Sequence, residues 1–191
     1  MAEENTKKKE IRKKAVALFQ KNGYEKVTVN DIAKASGISK NTFYYYFDSK
    51  ESIILDLFIP GTSLPERLMV EVLQKDTAYE QLSLIYEKAA SYFSNLGKEI
   101  MRTALKLDLS KDMLSRKPEK PLIYEMTESL YQKAQEEGTV RTDISIHEMI
   151  HVTCIALMGC VQIWATSSSD FDLTECFMKT FDVIVRKQEL K

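Results

Sequence analysis

The sequence predicts an all-α protein, and three observations carry that expectation. Glycine and proline are scarce, at 6 and 4 of 191 residues, so the punctuation of a turn-rich sheet protein is missing. Apolar residues recur every three or four positions rather than every two, the spacing of one face of a helix. Ser, Thr and Asp stand just ahead of several of those runs, where a helix start leaves backbone N–H groups in need of acceptors. An apolar share of 44% with 29% charged residues suits a soluble globular chain. The length corresponds to one large domain, or to one domain with a small companion.

Residues 1–9 are polar and are expected to form a mobile arm carrying Lys7, Lys8 and Lys9. Ile11, Ala15, Leu18 and Phe19 then mark the inward stripe of a first helix, which Asn22-Gly23 ends. Thr28-Val-Asn-Asp31 reads as a capping box with Asp in the acidic position. It opens a second helix whose inward residues are Val29, Ile32 and Ala33. Ser36-Gly37 stops that helix, with Gly37 suited to the left-handed position past its end. Ser39 caps a third, very short helix. Asp48-Ser-Lys-Glu51 is read as the cap of a fourth, running to about Ile59 before Pro60-Gly61 and Pro65 break the chain.

Longer amphipathic helices follow. Leu82, Ile85, Tyr86, Ala89, Ala90, Phe93 and Leu96 form one stripe, and Ile100, Ala104, Leu105 and Leu107 another. SRKPEKP at 115–121 reads as a loop. Ile123, Met126, Leu130 and Ala134 resume helical spacing until Gly138. Ile146 to about Ala165 is apolar on nearly every side, whereas Leu173, Cys176, Phe177, Thr180, Phe181 and Ile184 make an ordinary stripe. A helix that is apolar all round is buried all round. A chain this small covers one side of it, so a second copy is expected on the other. Met149 to Ser169 contains no Asp, Glu, Lys or Arg and is long enough to cross a membrane. Its His, Thr, Gln and Ser residues and its lack of a basic flank argue against a span. The charged N-terminus has no apolar stretch and does not read as a signal peptide. Cys154, Cys160 and Cys176 show no metal or disulfide spacing and read as reduced core thiols.

Charge divides the chain. Residues 1–50 hold 11 Lys or Arg against 6 Asp or Glu, a net +5, and residues 51–191 hold 16 against 22, a net −6. A basic first quarter on an acidic remainder suggests a polyanion-binding module joined to a carrier with another role. The boundary is drawn at Lys50, giving domains 1–50 and 51–191.

Two helices joined by Ala35-Ser-Gly37-Ile38 make a helix-turn-helix. The third helix holds five consecutive aromatics, Phe43 to Phe47. At ~100° per residue, Phe43 and Phe47 share the inward face and Tyr44 and Tyr46 flank it. Tyr45 points outward beside Asn41 and Thr42. Those three are the side chains that reach a major groove: Asn pairs with adenine, and Thr and Tyr contact thymine methyls. The flanking tyrosines carry hydroxyls for phosphate. Lys40 and Lys50 stand at helix starts to meet phosphates, and Thr28 and Ser39 lie at helix N-termini that favour anions.

With those residues in view, ALFQKNGYEKVTVNDIAKASGISKNTFYYYFDSKESI, residues 17 to 53, resembles the tetracycline-repressor-like (TetR/AcrR) family of bacterial transcription regulators. AQEEGTVRTD and the apolar helix with Gly159 and Trp164 resemble the family's penultimate helix region more loosely. The resemblance implies an all-α homodimer: an N-terminal three-helix DNA-binding domain, and a C-terminal helical domain for ligand binding and dimerisation through the last two helices. It implies a ligand-responsive repressor, acting in the cytoplasm, on a palindromic double-stranded DNA operator, released by a small, largely apolar effector. DNA-contact roles fall on Thr28, Ser39, Lys40, Asn41, Thr42, Tyr44, Tyr45, Tyr46 and Lys50. Two departures stand out: Tyr46 occupies a position that is frequently His in relatives, and Pro60-Gly61 shortens the fourth helix.

Candidates to line the effector cavity are Tyr86, Phe93, Met101, Leu105, Tyr124, Met126, Leu130, Met158 and Gln162, apolar walls with a few polar tips. One motif points elsewhere. Residues 147–151 read HEMIH, a formal H-E-x-x-H as in zinc-dependent hydrolases. No His follows it, and Glu175 lacks a supporting context, so a third ligand is missing. No Gly-rich phosphate loop or His-backed nucleophile is present either. The expectation is therefore a non-enzymatic protein without cofactor or bound metal.

Overall fold

A computed structural model describes residues 2–57, 66–108 and 122–186. Among the described residues lie ten α-helices: α1 (Ala2–Asn22), α2 (Val29–Ser36), α3 (Lys40–Tyr46), α4 (Lys50–Asp56), α5 (Glu66–Leu73), α6 (Ala78–Leu96), α7 (Lys98–Asp108), α8 (Leu122–Glu136), α9 (Ile146–Thr166) and α10 (Leu173–Val185). They fall into two compact units. The first comprises residues 1–59 and 96–116, the second 60–95 and 117–191.

The first unit forms around the stripe of α1, where Ile11, Ala15 and Phe19 are buried. Ile32 and Ala33 of α2 are buried where α2 packs against it, α3 with Phe43 packs in turn on α2, and Ile53, Ile54 and Leu55 are buried on α4. Burying a ring such as Phe43 stabilises the unit by roughly 1.5–3 kcal/mol. Each short helix is closed locally. Thr28 accepts from the Asp31 N–H while the Asp31 carboxylate accepts from the Thr28 N–H, the expected capping box. Gly37 takes φ +65 and returns its N–H to the end of α2. A Cβ there would meet nothing within 4 Å, so backbone conformation alone demands glycine.

Several expectations are corrected. The arm 1–9 is not loose, because α1 begins at Ala2. Lys7 pairs with Glu10 at 3.0 Å, and Lys8 reaches Asp56 of α4 at 3.1 Å while lying over the Phe47 ring. Arg12 binds the same Asp56 at 2.8 Å. The cap of α4 is Ser49, not Asp48. Its partner is Ser52, three residues on, and Asp48 stays exposed. Nor does the first unit stop at Lys50. It takes in α4 and also α7, which packs on α4 and α1 through Ile100, Met101 and Ala104. Charge composition marked residues 1–50, but the core needs a cover that arrives later in the chain. The fourth helix ends at Asp56, with Leu57 as its C-cap, rather than near Ile59; the Pro60-Gly61 break and the SRKPEKP loop lie outside the described residues.

In the second unit α9 and α10 pack on each other, and α8 packs on α9. Leu173, Phe177, Phe181 and Val185 form the buried edge of α10. Tyr86 of α6 stands among Phe181, Phe177 and Tyr131, with centroids 5.0, 6.1 and 6.4 Å away. The stripe assigned to α8 holds at Ala134 but is displaced by one position at Met126 and Leu130, and the Ile123 side chain lies outside the described residues. Thr127, Tyr131 and Ala134 are buried, whereas Met126 and Leu130 are half-buried. Both registers have helical spacing, and packing selects the one that inserts a tyrosine ring. At the far end of α10, Asp182 accepts from the Tyr79 hydroxyl, and Arg186 donates to that same oxygen at 3.0 and 2.9 Å. Burial, together with Asp182, raises the Tyr79 phenol above its ordinary pKa.

Candidate nucleic-acid interface

The short helix α3 gives its aromatic run two fates. Phe43 and Phe47 are buried, as the wheel requires. Tyr44 and Tyr45 are 46% and 70% exposed, which for residues of this size is an investment in contact with something else. Tyr46 is half-buried and meets Tyr45 edge-on, centroids 5.0 Å apart. Lys40 and Asn41 are exposed on the first turn, and Thr42 is half-buried beside them. Ser39 holds the start of the helix: its hydroxyl accepts from the Thr42 N–H at 3.0 Å and lies 2.8 Å from the Thr42 hydroxyl. The two hydroxyls are thus engaged with each other, and Asn41 and Tyr45 are the outward pair.

Thr28, at the start of α2, is exposed, and its hydroxyl donates to Asp31 at 2.6 Å. That bond and the Thr28 backbone hold the Asp31 carboxyl below its ordinary pKa. The box satisfies the N–H groups of Thr28 and Asp31. Those of Val29 and Asn30 are the ones a helix start leaves for water or an anion.

Lys50 does not take the expected place. Its ammonium turns inward and donates to the carbonyls of Tyr24 at 2.9 Å, Val27 at 3.1 Å and Glu25 at 3.5 Å. It also sits 4.2 Å from the centroid of the Tyr24 ring. A lysine one residue past a serine cap reads as solvent-facing in sequence. The carbonyl-rich turn that captures it lies 23–26 residues earlier.

The nine cavity candidates are spread over α6, α7, α8 and α9. Met101 and Leu105 lie on α7, in the first unit. Tyr86, Phe93, Met126 and Leu130 lie in the second, and the Tyr124 side chain is outside the described residues. Met158 and Gln162 are exposed on α9. Two interior groups lie outside the predicted set, the Tyr131 and Thr153 hydroxyls, which are buried and 3.2 Å apart. Thr153 donates to the Met149 carbonyl at 2.7 Å, and burial pushes the Tyr131 phenol up to about 12. A Tyr four residues after Thr127 was the available signal.

HEMIH begins α9 and serves its cap. The Glu148 carboxylate accepts from the Ser145 N–H at 3.0 Å and from its hydroxyl at 2.6 Å, while His147 and His151 are exposed. Among the described residues no group of three or more His, Cys, Asp or Glu side chains could hold a metal ion. Beyond the cap, Val152, Ile155, Met158 and Ile163 line the outer side of α9, and Val183 is exposed on α10. Cys154 shares that outer side rather than lying in the core. The inner side buries Met149, Ile150, Leu157, Val161 and Trp164. Among the described residues α9 alone is long and apolar enough to cross a membrane, and it is partly buried in its own unit.

Residues 11–57 match the model of the family described as "Bacterial regulatory proteins, tetR family". Over 188 residues the chain is 24% identical to the "Fatty acid metabolism regulator protein" of Bacillus subtilis, covering 97% of each chain. Among solved structures, it superposes on FadR of Thermus thermophilus, a repressor solved with lauroyl-CoA, with a TM-score of 0.62 and 23% identity, covering 93% of this chain and 92% of the other. It also superposes on FadR of Bacillus subtilis, solved with stearoyl-CoA, with a TM-score of 0.66 and 23% identity, covering 92% and 96%. At such identities the likeness establishes a shared fold.

Proposed function

From the premise that the chain belongs to the tetR family and is a ligand-responsive DNA-binding transcriptional regulator, we propose that it is a cytoplasmic repressor that binds a palindromic operator as a homodimer and leaves it when a long-chain acyl thioester of coenzyme A binds. The observation that carries the DNA half is the outward pair Asn41 and Tyr45, standing over buried Phe43 and Phe47. Asn41 reads a base edge, Tyr45 contacts thymine methyls, and Lys40, Thr42, Tyr44 and Tyr46 meet the flanking backbone. Thr28 and Ser39 present the starts of α2 and α3 to phosphates.

The apolar outer sides of α9 and α10 support dimerisation. Four aliphatic side chains on one helix face make the kind of patch that a second copy covers. Two α3 helices related by a two-fold axis must then meet major grooves about 34–36 Å apart. An effector that alters that spacing weakens the operator complex, and DNA must weaken effector binding by the same factor. The ligands named for the two FadR structures motivate the choice of effector class. Tyr86, Phe93, Met126 and Leu130, with the Tyr131 and Thr153 hydroxyls, are the residues of the second unit suited to an acyl chain and its carbonyl.

The test is fluorescence anisotropy on a selected palindromic duplex at several salt concentrations, followed by titration with lauroyl-CoA. Sequence-specific, salt-dependent binding that lauroyl-CoA reverses is the expected result. Binding that ignores sequence rejects the reading of α3, and an operator complex indifferent to lauroyl-CoA rejects the effector class.

A further inference from the structure

We propose that Lys50 and Glu99 are positioning residues for operator binding: they clasp the turn between α1 and α2 and so set where the start of α2 meets the DNA backbone. The inference rests on the DNA-binding reading and is independent of the effector.

An ammonium has three N–H donors and no acceptor. Lys50 directs its donors at Tyr24, Val27 and, at longer reach, Glu25, all carbonyls of one turn. No donor is left over for a phosphate in this arrangement. From α7, Glu99 accepts from the Tyr24 backbone N–H at 3.3 Å. It also stands against Gly23, where φ is +82 and a Cβ would come within 3.1 Å of its Oε1. The buried Tyr24 ring lies against the Lys50 ammonium, and its hydroxyl donates to Glu51 at 3.0 Å. The turn from Gly23 to Val27 is thus gripped by α4 and α7, two helices that follow the helix-turn-helix in sequence. Thr28, the cap of α2, is the next residue. Hydrogen bonds to phosphate tolerate only a few tenths of an ångström, so a slack turn costs affinity without removing any group that touches DNA.

The experiment compares wild type, Lys50→Met and Glu99→Ala on a duplex selected for binding, across a salt series, with amide hydrogen exchange on the free proteins. Lys50→Met is expected to weaken binding about tenfold while leaving the slope of log K against log salt unchanged. A lysine that neutralises a phosphate would lower that slope by about 0.9, and such a result overturns the proposal. Glu99→Ala gives an independent reading. Removing an acidic residue from a DNA-binding module ordinarily strengthens attraction to a polyanion. The clasp predicts several-fold weaker binding instead, and equal or tighter binding overturns the role of Glu99. Exchange separates positioning from general loosening. The amides of Val27 and Ile32, bonded to the Tyr24 and Thr28 carbonyls, should exchange faster while those of Phe43 and Phe47 stay protected. Uniform acceleration across the unit would make both residues merely structural and overturn the proposal. Loss of all specific binding by wild type would instead fall on the DNA-binding reading.

Discussion

Among the described residues, two of the exposed surfaces are built from opposite materials. On α3 the exposed side offers Asn41, Tyr44 and Tyr45, rings that end in hydroxyls and an amide. On α9 it offers Val152, Ile155, Met158 and Ile163, side chains without a polar atom that can donate. The first suits a partner that is wet, charged and patterned in donors and acceptors. The second suits a partner as apolar as itself. The chemistry of the exposed atoms sets what kind of partner each face would suit.

The contrast can be broken from either side. Charging the aliphatic face should have the largest effect. Ile155→Glu with Ile163→Glu should turn a dimer into a folded monomer in sedimentation and reduce operator affinity at least about a hundredfold, since two half-sites no longer bind together. A doubly substituted chain that still sediments as a dimer would move the interface elsewhere. Next comes Phe43→Ala, which removes the support under α3 and should cost about 3–5 kcal/mol in chemical denaturation. Asn41→Ala with Tyr45→Ala should leave stability within about 0.5 kcal/mol. Discrimination between cognate and altered duplexes should fall by about 1–3 kcal/mol per lost base contact. Gly37→Ala is smaller: with open space around it but φ at +65, it should cost about 1 kcal/mol.

The smallest effect is one of pH. Partial burial pushes Glu51 upward, but its own backbone N–H, Ser49 and Tyr24 outweigh this and hold its carboxyl below the ordinary 4.5. A lowered carboxylate stabilises the folded state above that value, and the contribution is lost as pH falls through the lowered one. Glu51→Gln should therefore flatten the acid limb of a stability-against-pH curve, and an unchanged limb would remove Glu51 from that account.

Local features were legible in the sequence where their physics is local. The Thr28–Asp31 box, the Gly37 stop, the Ser39 cap and the division of the five aromatics each depend on residues within one or two turns. What escaped reading depends on partners far along the chain. Lys50 sits next to a cap and reads as a phosphate ligand until the Tyr24 to Val27 carbonyls fold back upon it. Lys8 reads as part of a loose arm until Asp56 arrives 48 residues later. On α8 two registers satisfied the same periodicity, and only the ring of Tyr131 meeting Tyr86 and Thr153 decides between them. Helical spacing with apolar neighbours does not separate an inner side of α9 from an outer one when both are apolar, and Met158 and Gln162 stand on the exposed side.

The first unit is discontinuous: residues 1–59 are completed by 96–116, with 36 residues of the second unit in between. A ribosome delivers α1 to α4 well before it delivers α7. Until Ile100, Met101 and Ala104 emerge, α4 lacks the cover that α7 gives it, and until Glu99 emerges the Tyr24 N–H has no acceptor from that helix. The nascent chain therefore holds α1 to α4 without α7 while the opening helices of the second unit are being made. If the first unit reads DNA as proposed, the order of synthesis delays its competence until part of the second unit exists, so a message truncated after residue 59 should yield a fragment with weakened grip on DNA rather than a regulator that cannot be switched off.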